Sequence, residues 1–126
     1  MNEIINDASS LDIHKLAFVG DAVYELVVRE KIACKFNYNI GELNKVKVNN
    51  VCCKAQSDFF ETIKDILTPE ELEIYKRGRN FRVKTVPKSA SACEYHRATG
   101  VESLFGYWFL NKDFERIIEI SSKINL

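Results

Sequence analysis

Leu16-Ala17-Phe18-Val19-Gly20-Asp21-Ala22-Val23-Tyr24-Glu25 lies inside an apolar run from Leu11 to Phe36 that contains no proline. The run has room for one helix of roughly seven turns at 3.6 residues each. On a helical wheel its apolar side chains go nearly all the way round, so most of this helix is expected to be buried. One stripe differs: His14, Asp21 and Glu25 share a face, with Arg29 at its edge. A carboxylate inside a buried helix carries a large desolvation cost unless a cation meets it. An ion pair or an exposed edge accounts for the stripe as readily as a divalent-metal site that draws further acids from elsewhere.

Working outward, 126 residues suit one domain, expected to span 1–126. An apolar fraction of 46% with few Gly and Pro excludes a disordered chain. The formal net charge is zero, so only local clustering could recruit a nucleic acid. Cys34, Cys52, Cys53 and Cys93 form no CxxC pair, and with only His14 and His96 beside them a zinc site is not expected. Adjacent Cys52 and Cys53 on one helix would suit core packing better than a disulfide. Free thiols, an acidic start without an apolar core and no bilayer-length apolar segment lead us to expect a soluble cytoplasmic protein that binds no membrane.

In order, Ser9, Ser10 and Asp12 offer caps for the first helix, which should fail near 35–39. A second helix is predicted from about Gly41 to Ile66 on Leu43, Val46, Val51, Ala55, Phe59, Ile63 and Ile66. Thr68-Pro69-Glu70-Glu71 opens a third with a capping box and should stop at Gly78. Ser91 with Glu94 caps a fourth, running to about Leu110, whose Leu104–Leu110 half is apolar on every side and should be central. Phe114, Ile117, Ile118 and Ile120 make a short closing helix. Nothing reads as a strand, and the expected fold is all-α.

Two features do not fit a plain helical core. Lys76, Arg77, Arg79, Arg82, Lys84 and Lys88 are six of the chain's 18 Lys and Arg, while no acid occurs between Tyr75 and Glu94. Such a run is commonly a solvated face, but a loop with Gly78 and Pro87 between two helices also suits phosphate contact. Glu102, meanwhile, shares its face with Tyr95, Ala98, Thr99, Phe105, Gly106 and Phe109, poor company for a carboxylate. Two acids out of place in apolar helices, plus a basic loop, are compatible with metal-assisted phosphodiester chemistry.

Leu16 through Val23 resembles the signature helix of the ribonuclease III endonuclease domain, whose pattern reads Leu-Glu-Phe-Leu-Gly-Asp-Ala. Val101-Glu102-Ser103-Leu104-Phe105-Gly106-Tyr107 resembles that family's second acidic helix. Tyr24-Glu25, Arg77-Gly78-Arg79-Asn80, Thr85-Val86-Pro87-Lys88 and Tyr95 through Gly100 are most similar to a reduced branch, Mini-ribonuclease III. The resemblance covers about residues 11 to 120. It implies an all-helical fold acting as a two-fold homodimer, with Phe18 plugging into the partner subunit, although ordinary core packing would also suit Phe18. It implies a Mg²⁺-dependent endoribonuclease, with Mn²⁺ an alternative ion, that cuts double-stranded RNA to 5′-phosphate and 3′-hydroxyl ends.

In that reading Asp21 and Glu102 are the catalytic and metal-binding acids, and Glu25 stands behind them to orient a water or a basic side chain. His14 is read as packed or exposed, not catalytic. Lys76, Arg77, Arg79, Arg82, Lys84, Lys88, His96 and Arg97 would hold RNA, since the separate double-stranded-RNA-binding domain common in the family is not expected here. DNA is not an expected partner. The resemblance further implies maturation of precursor large-subunit (23S) ribosomal RNA, presented by a ribosomal protein. The family's first-helix Glu is Ala17 here, the Asp before the second-helix Glu is Thr99, and a further Glu falls near Lys54. Mg²⁺ needs only one or two carboxylates plus substrate phosphate, so two acids can suffice. A non-catalytic RNA-binding or ribosome-assembly protein that keeps the fold is the alternative, and an unrelated helical protein-binding domain is another.

Overall fold

A computed structural model of the chain describes residues 7–82, 85, 86, 88 and 91–126. Among the described residues six α-helices follow a short 3-10 turn: α1 Ile13–Lys35, α2 Ile40–Val51, α3 Cys53–Ile63, α4 Pro69–Asn80, α5 Ala92–Leu110 and α6 Phe114–Ser121. No strand occurs among the described residues, as the apolar periodicity predicts. Both capping boxes form. Thr68 Oγ1 accepts the Glu71 N–H at 3.2 Å while Glu71 Oε1 accepts the Thr68 N–H at 2.8 Å, and Ser91 and Glu94 do the same for α5.

Helix α5 is the axis. It packs on α1, α4, α3 and α6, which is why its second half is apolar all round. Leu16, Tyr24 and Val28 of α1 meet Val101, Leu104, Phe105 and Trp108 of α5 in one core. The closest crossing is backbone on backbone. A methyl group on Gly20 would lie 1.5 Å from the Glu102 carbonyl oxygen, and one on Gly106 would lie 1.9 Å from that of Leu16. Only residues without Cβ allow this approach.

The structure departs from the sequence-based expectation at three places. The helix predicted over 41–66 is two helices, parted at Cys52, whose ψ of 162° is extended. Side chains take the carbonyls at the break: Asn50 Nδ2 donates to Val46 O at 2.8 Å and Gln56 Nε2 to Val51 O at 3.0 Å. Cys52 is therefore exposed, not core, and all four cysteines are free. Helix α4 runs two residues past Gly78, which is a contact point and not a stop; a methyl group there would fall 2.3 Å from Ser103 Oγ. Finally, α1 is buried only along Leu16, Gly20, Val23, Tyr24, Val28 and Ile32. Its other side leaves Phe18 82% and Leu26 66% exposed with Ala22 between them, because no described element of the same chain covers that stripe.

A buried polar knot closes the far end. Glu71, 5% exposed, accepts the Trp108 indole N–H at 2.6 Å and two bonds from the Arg116 guanidinium at 2.7 and 2.9 Å. The same carboxylate caps α4, so one acid ties α4, α5 and α6 together.

Candidate active site

Asp21 follows Gly20 directly, and Glu102 is the residue whose backbone Gly20 touches. The glycine crossing therefore sets the two side chains beside each other across α1 and α5. Their carboxyls are within hydrogen-bonding reach, and both line a cleft of about 600 Å³ whose remaining wall includes Val48, Cys52, Lys54, Gln56 and Tyr95. Asp21 is exposed at the mouth, while Glu102 is largely enclosed. Burial first, then the bond to Asp21 and its charge, push the Glu102 carboxyl up to about 9, against a smaller opposing pull from the Gln56 amide. At neutral pH, with nothing else in the cleft, Glu102 keeps its proton and shares it with Asp21.

The break at Cys52 shapes the opposite wall. It turns the first residues of α3 toward the two acids, bringing Cys53, Lys54 and Gln56 into the cleft. Lys54 Nζ is held by Asp58 at 2.9 Å, one helical turn on. Burial raises the Cys53 thiol, with Glu102 adding to it, so this cysteine is not primed as a nucleophile. Gln56 is only 3% exposed, and its Oε1 has no hydrogen-bond partner among the described residues. Sequence reasoning missed Gln56; the one available signal was a polar residue among the core positions Val51, Ala55 and Phe59 of a predicted helix.

A divalent ion fits these residues. Two adjacent carboxyls, one of them kept protonated by burial and by its neighbour, offer oxygen ligands of the kind hard cations take, and the same cleft wall includes Gln56, whose buried amide oxygen is unpaired among the described residues. No group of three or more His, Cys, Asp or Glu is positioned for a metal among the described residues, so any ion here leans on two acids and must complete its shell from other oxygens.

The other expected site residues are placed apart from this pair. Glu25 does not line the cleft; Arg29 Nε donates to it at 2.9 Å and Lys47 Nζ lies 4.0 Å away, so it orients basic side chains. His14 is exposed and stacks on Phe81, ring centroids 5.8 Å apart. That stacking brings the start of the basic loop to the first turn of α1, about 10 Å along the helix axis from Asp21 at 1.5 Å per residue. Lys76, Arg77 and Arg79 occupy the end of α4, where cations suit the helix dipole. Arg77 is engaged in the fold, donating to the carbonyls of Ser9 and Leu11 at 3.0 and 3.1 Å. Arg79 lies over the Tyr75 ring, and Arg82 and Lys88 are exposed. His96 packs edge-on to Tyr95, and the charge of Arg97 is felt by Glu61 of α3 and Tyr75 of α4. Lys84 and Pro87 lie outside the described residues. A smaller depression of about 230 Å³ between α1 and α2, walled by Ile32, Leu43 and Lys47 among others, contains no carboxylate.

Comparison with known proteins identifies the family. The Ribonuclease III domain family matches residues 14–113, a span that includes both acids and the basic segment. The chain is 43% identical over 112 residues to the Mini-ribonuclease 3 of Thermoanaerobacter sp., covering 86% of this chain and 79% of that one. It is 36% identical over 118 residues to the Mini-ribonuclease 3 of Enterococcus faecalis, covering 92% and 89%. In structure it is similar to the crystal structure of a Fusobacterium nucleatum protein, with a TM-score of 0.82, 37% identity and 90% of each chain covered. No helix of the described residues is long and apolar enough to cross a membrane. The glycine-set acid pair, the helical frame and the relatives that match over most of their length lead to one conclusion: this chain belongs to the ribonuclease III domain family of endoribonucleases, within its Mini-ribonuclease 3 group.

Proposed function

We propose that this endoribonuclease cuts double-stranded RNA with Mg²⁺ or Mn²⁺, leaving 5′-phosphate and 3′-hydroxyl ends, with Asp21 and Glu102 as its catalytic acids. The observation that carries the reading is their meeting in one cleft, within hydrogen-bonding reach, although they come from distant parts of the chain. A bound ion would supply charge neutralisation at the scissile phosphate and acidify water for in-line attack. Asp21, exposed at the mouth, would offer one oxygen to such an ion and Glu102, deeper in the cleft, another. Glu25, on the same helix face as Asp21 but outside the cleft, holds Arg29 of α1 and Lys47 of α2, and acts by placing those cations.

Duplex RNA offers phosphates and 2′-hydroxyls across a wide minor groove, and recognition follows shape more than base sequence. Arg79, Arg82, Lys84, Lys88, Lys76, His96 and Arg97 form the proposed phosphate grip, with Arg77 anchoring the base of the loop through Ser9 and Leu11. The bare stripe of Phe18, Ala22 and Leu26 supports a two-fold dimer, since contiguous exposed apolar surface marks an interaction face. Two copies of this domain would then hold the duplex between them. Family resemblance extends the proposal to precursor 23S ribosomal RNA in the cytoplasm, with a ribosomal protein as partner.

The test is cleavage of an end-labelled RNA duplex in Mg²⁺ by wild type, Asp21→Asn and Glu102→Gln. Wild type should cut, and each variant should lose at least about a hundredfold, the scale of removing a group that acts only in the transition state. Cutting by both variants at the wild-type rate would overturn the mechanism. Tight binding without cutting by wild type would replace it with a non-catalytic RNA-binding role.

A further inference from the structure

We infer that Gln56 is the third oxygen donor of the cation site, a neutral partner to Asp21 and Glu102. The inference rests on the metal-dependent reading and names a residue that reading does not require. Three observations carry it. The side chain is 3% exposed and belongs to the wall of the cleft that both acids line. Its amide orientation is not arbitrary: the atom 3.0 Å from the Val51 carbonyl must be the donor, because a carbonyl only accepts, and this identifies the other atom as Oε1. That Oε1 is buried and has no partner among the described residues. A buried acceptor left unpaired is costly, so folded proteins keep few of them and each calls for a partner.

The chemistry selects what meets it. An oxygen lone pair in the wall of a cleft that already holds two carboxyls does not attract an anion, so the scissile phosphate is not its partner. Apolar ligands leave it unpaired. A hard divalent ion accepts amide oxygen readily and uses six or more oxygen ligands, of which two acids supply only part. The neutral amide also adds a ligand without a third negative charge next to a pair that repel each other once both are ionised. The break at Cys52 is what makes this possible: the Val51 carbonyl, left free at the end of α2, anchors the Gln56 amide from behind.

The test is Mn²⁺ binding to the full chain without RNA, followed by the electron paramagnetic resonance of the free ion, alongside thermal unfolding without metal. Gln56→Met removes the oxygen and should weaken Mn²⁺ binding about tenfold or more, the scale seen when groups supporting a metal site are removed. Gln56→Glu keeps an oxygen there but cannot donate to Val51, so it should lose thermal stability yet bind Mn²⁺ at least as tightly as wild type. Gln56→Met binding within twofold of wild type would overturn the inference. So would Gln56→Glu binding more weakly than wild type, because the amide would then act only as a structural clamp. Should Gln56→Met not fold, the Gln56→Glu comparison decides alone. Asp21→Asn and Glu102→Gln separate the two levels: if neither alters Mn²⁺ binding, the metal reading itself falls, and if they weaken it while Gln56→Met does not, only the role of Gln56 falls.

Discussion

Replacing Glu102 with Gln should make the metal-free protein more stable, increasingly so as pH rises. The wild-type carboxyl is pushed up to about 9 by burial and by Asp21, whereas in the unfolded chain it titrates near its ordinary value of 4.5. Between those values the folded protein holds a proton that the unfolded chain has released. Stability therefore falls as pH rises through that window, by up to about 1.4 kcal/mol per pH unit for one proton. Glutamine has nothing to titrate, and its amide N–H can donate to Asp21 where the shared proton was. The difference Glu102→Gln minus wild type should thus grow by about 2–3 kcal/mol from pH 5.5 to pH 7.5, with partial solvent access at the cleft mouth reducing that ceiling. Urea unfolding of both proteins in chelator, at half-unit pH steps, measures it directly. Adding Mg²⁺ should stabilise wild type more than the variant at pH 8, since the ion takes the place of the proton. A difference that stays constant from pH 5 to pH 9 would refute the picture of two acids sharing one proton.

Four further outcomes follow from particular residues. Arg116→Met should destabilise by about 3–5 kcal/mol in urea titrations, because it leaves Glu71 buried and charged without its cation. Burial raises the Glu71 carboxyl, but the bonds from Arg116, the Thr68 N–H and Trp108 together hold it below the ordinary value, so its contribution is present above about pH 4.5 and is lost as pH falls through the folded value. Gly20→Ala should cost at least the ~1–3 kcal/mol of ordinary overpacking, seen as a lower unfolding midpoint, since its methyl would sit 1.5 Å from a backbone oxygen that cannot yield. Arg79→Ala with Arg82→Ala should weaken duplex RNA binding and flatten its salt dependence by about one unit of log K per log salt for each phosphate left without its cation, measured by fluorescence anisotropy; Arg77→Ala should act mainly on stability, through Ser9 and Leu11.

The helical frame was legible from local chemistry. Thr68-Pro69-Glu70-Glu71 and Ser91 through Glu94 start helices because their bonds close within four residues, and the apolar surround of Leu104–Leu110 marks the central helix because burial leaves its imprint on composition. Asp21 and Glu102 were singled out by the same logic, as acids in apolar company. What local chemistry could not supply was the break at Cys52, where the Gln56 side chain takes the Val51 carbonyl that a continuing helix would otherwise use. It also could not separate Glu25, drawn off by Arg29 and Lys47, from Asp21, which shares its helix face.

The residues by themselves determine that there are helices, where most of them begin, and which two acids are out of place, because capping and amphipathic burial act over a few neighbouring positions. Tertiary structure decides that those acids meet. Their approach depends on α1 and α5 touching backbone to backbone at Gly20 and Gly106, a crossing between residues far apart in the chain that no local preference encodes. The same crossing turns two costly carboxyls from distant helices into one pair within hydrogen-bonding reach, with Gln56 in the wall of the same cleft.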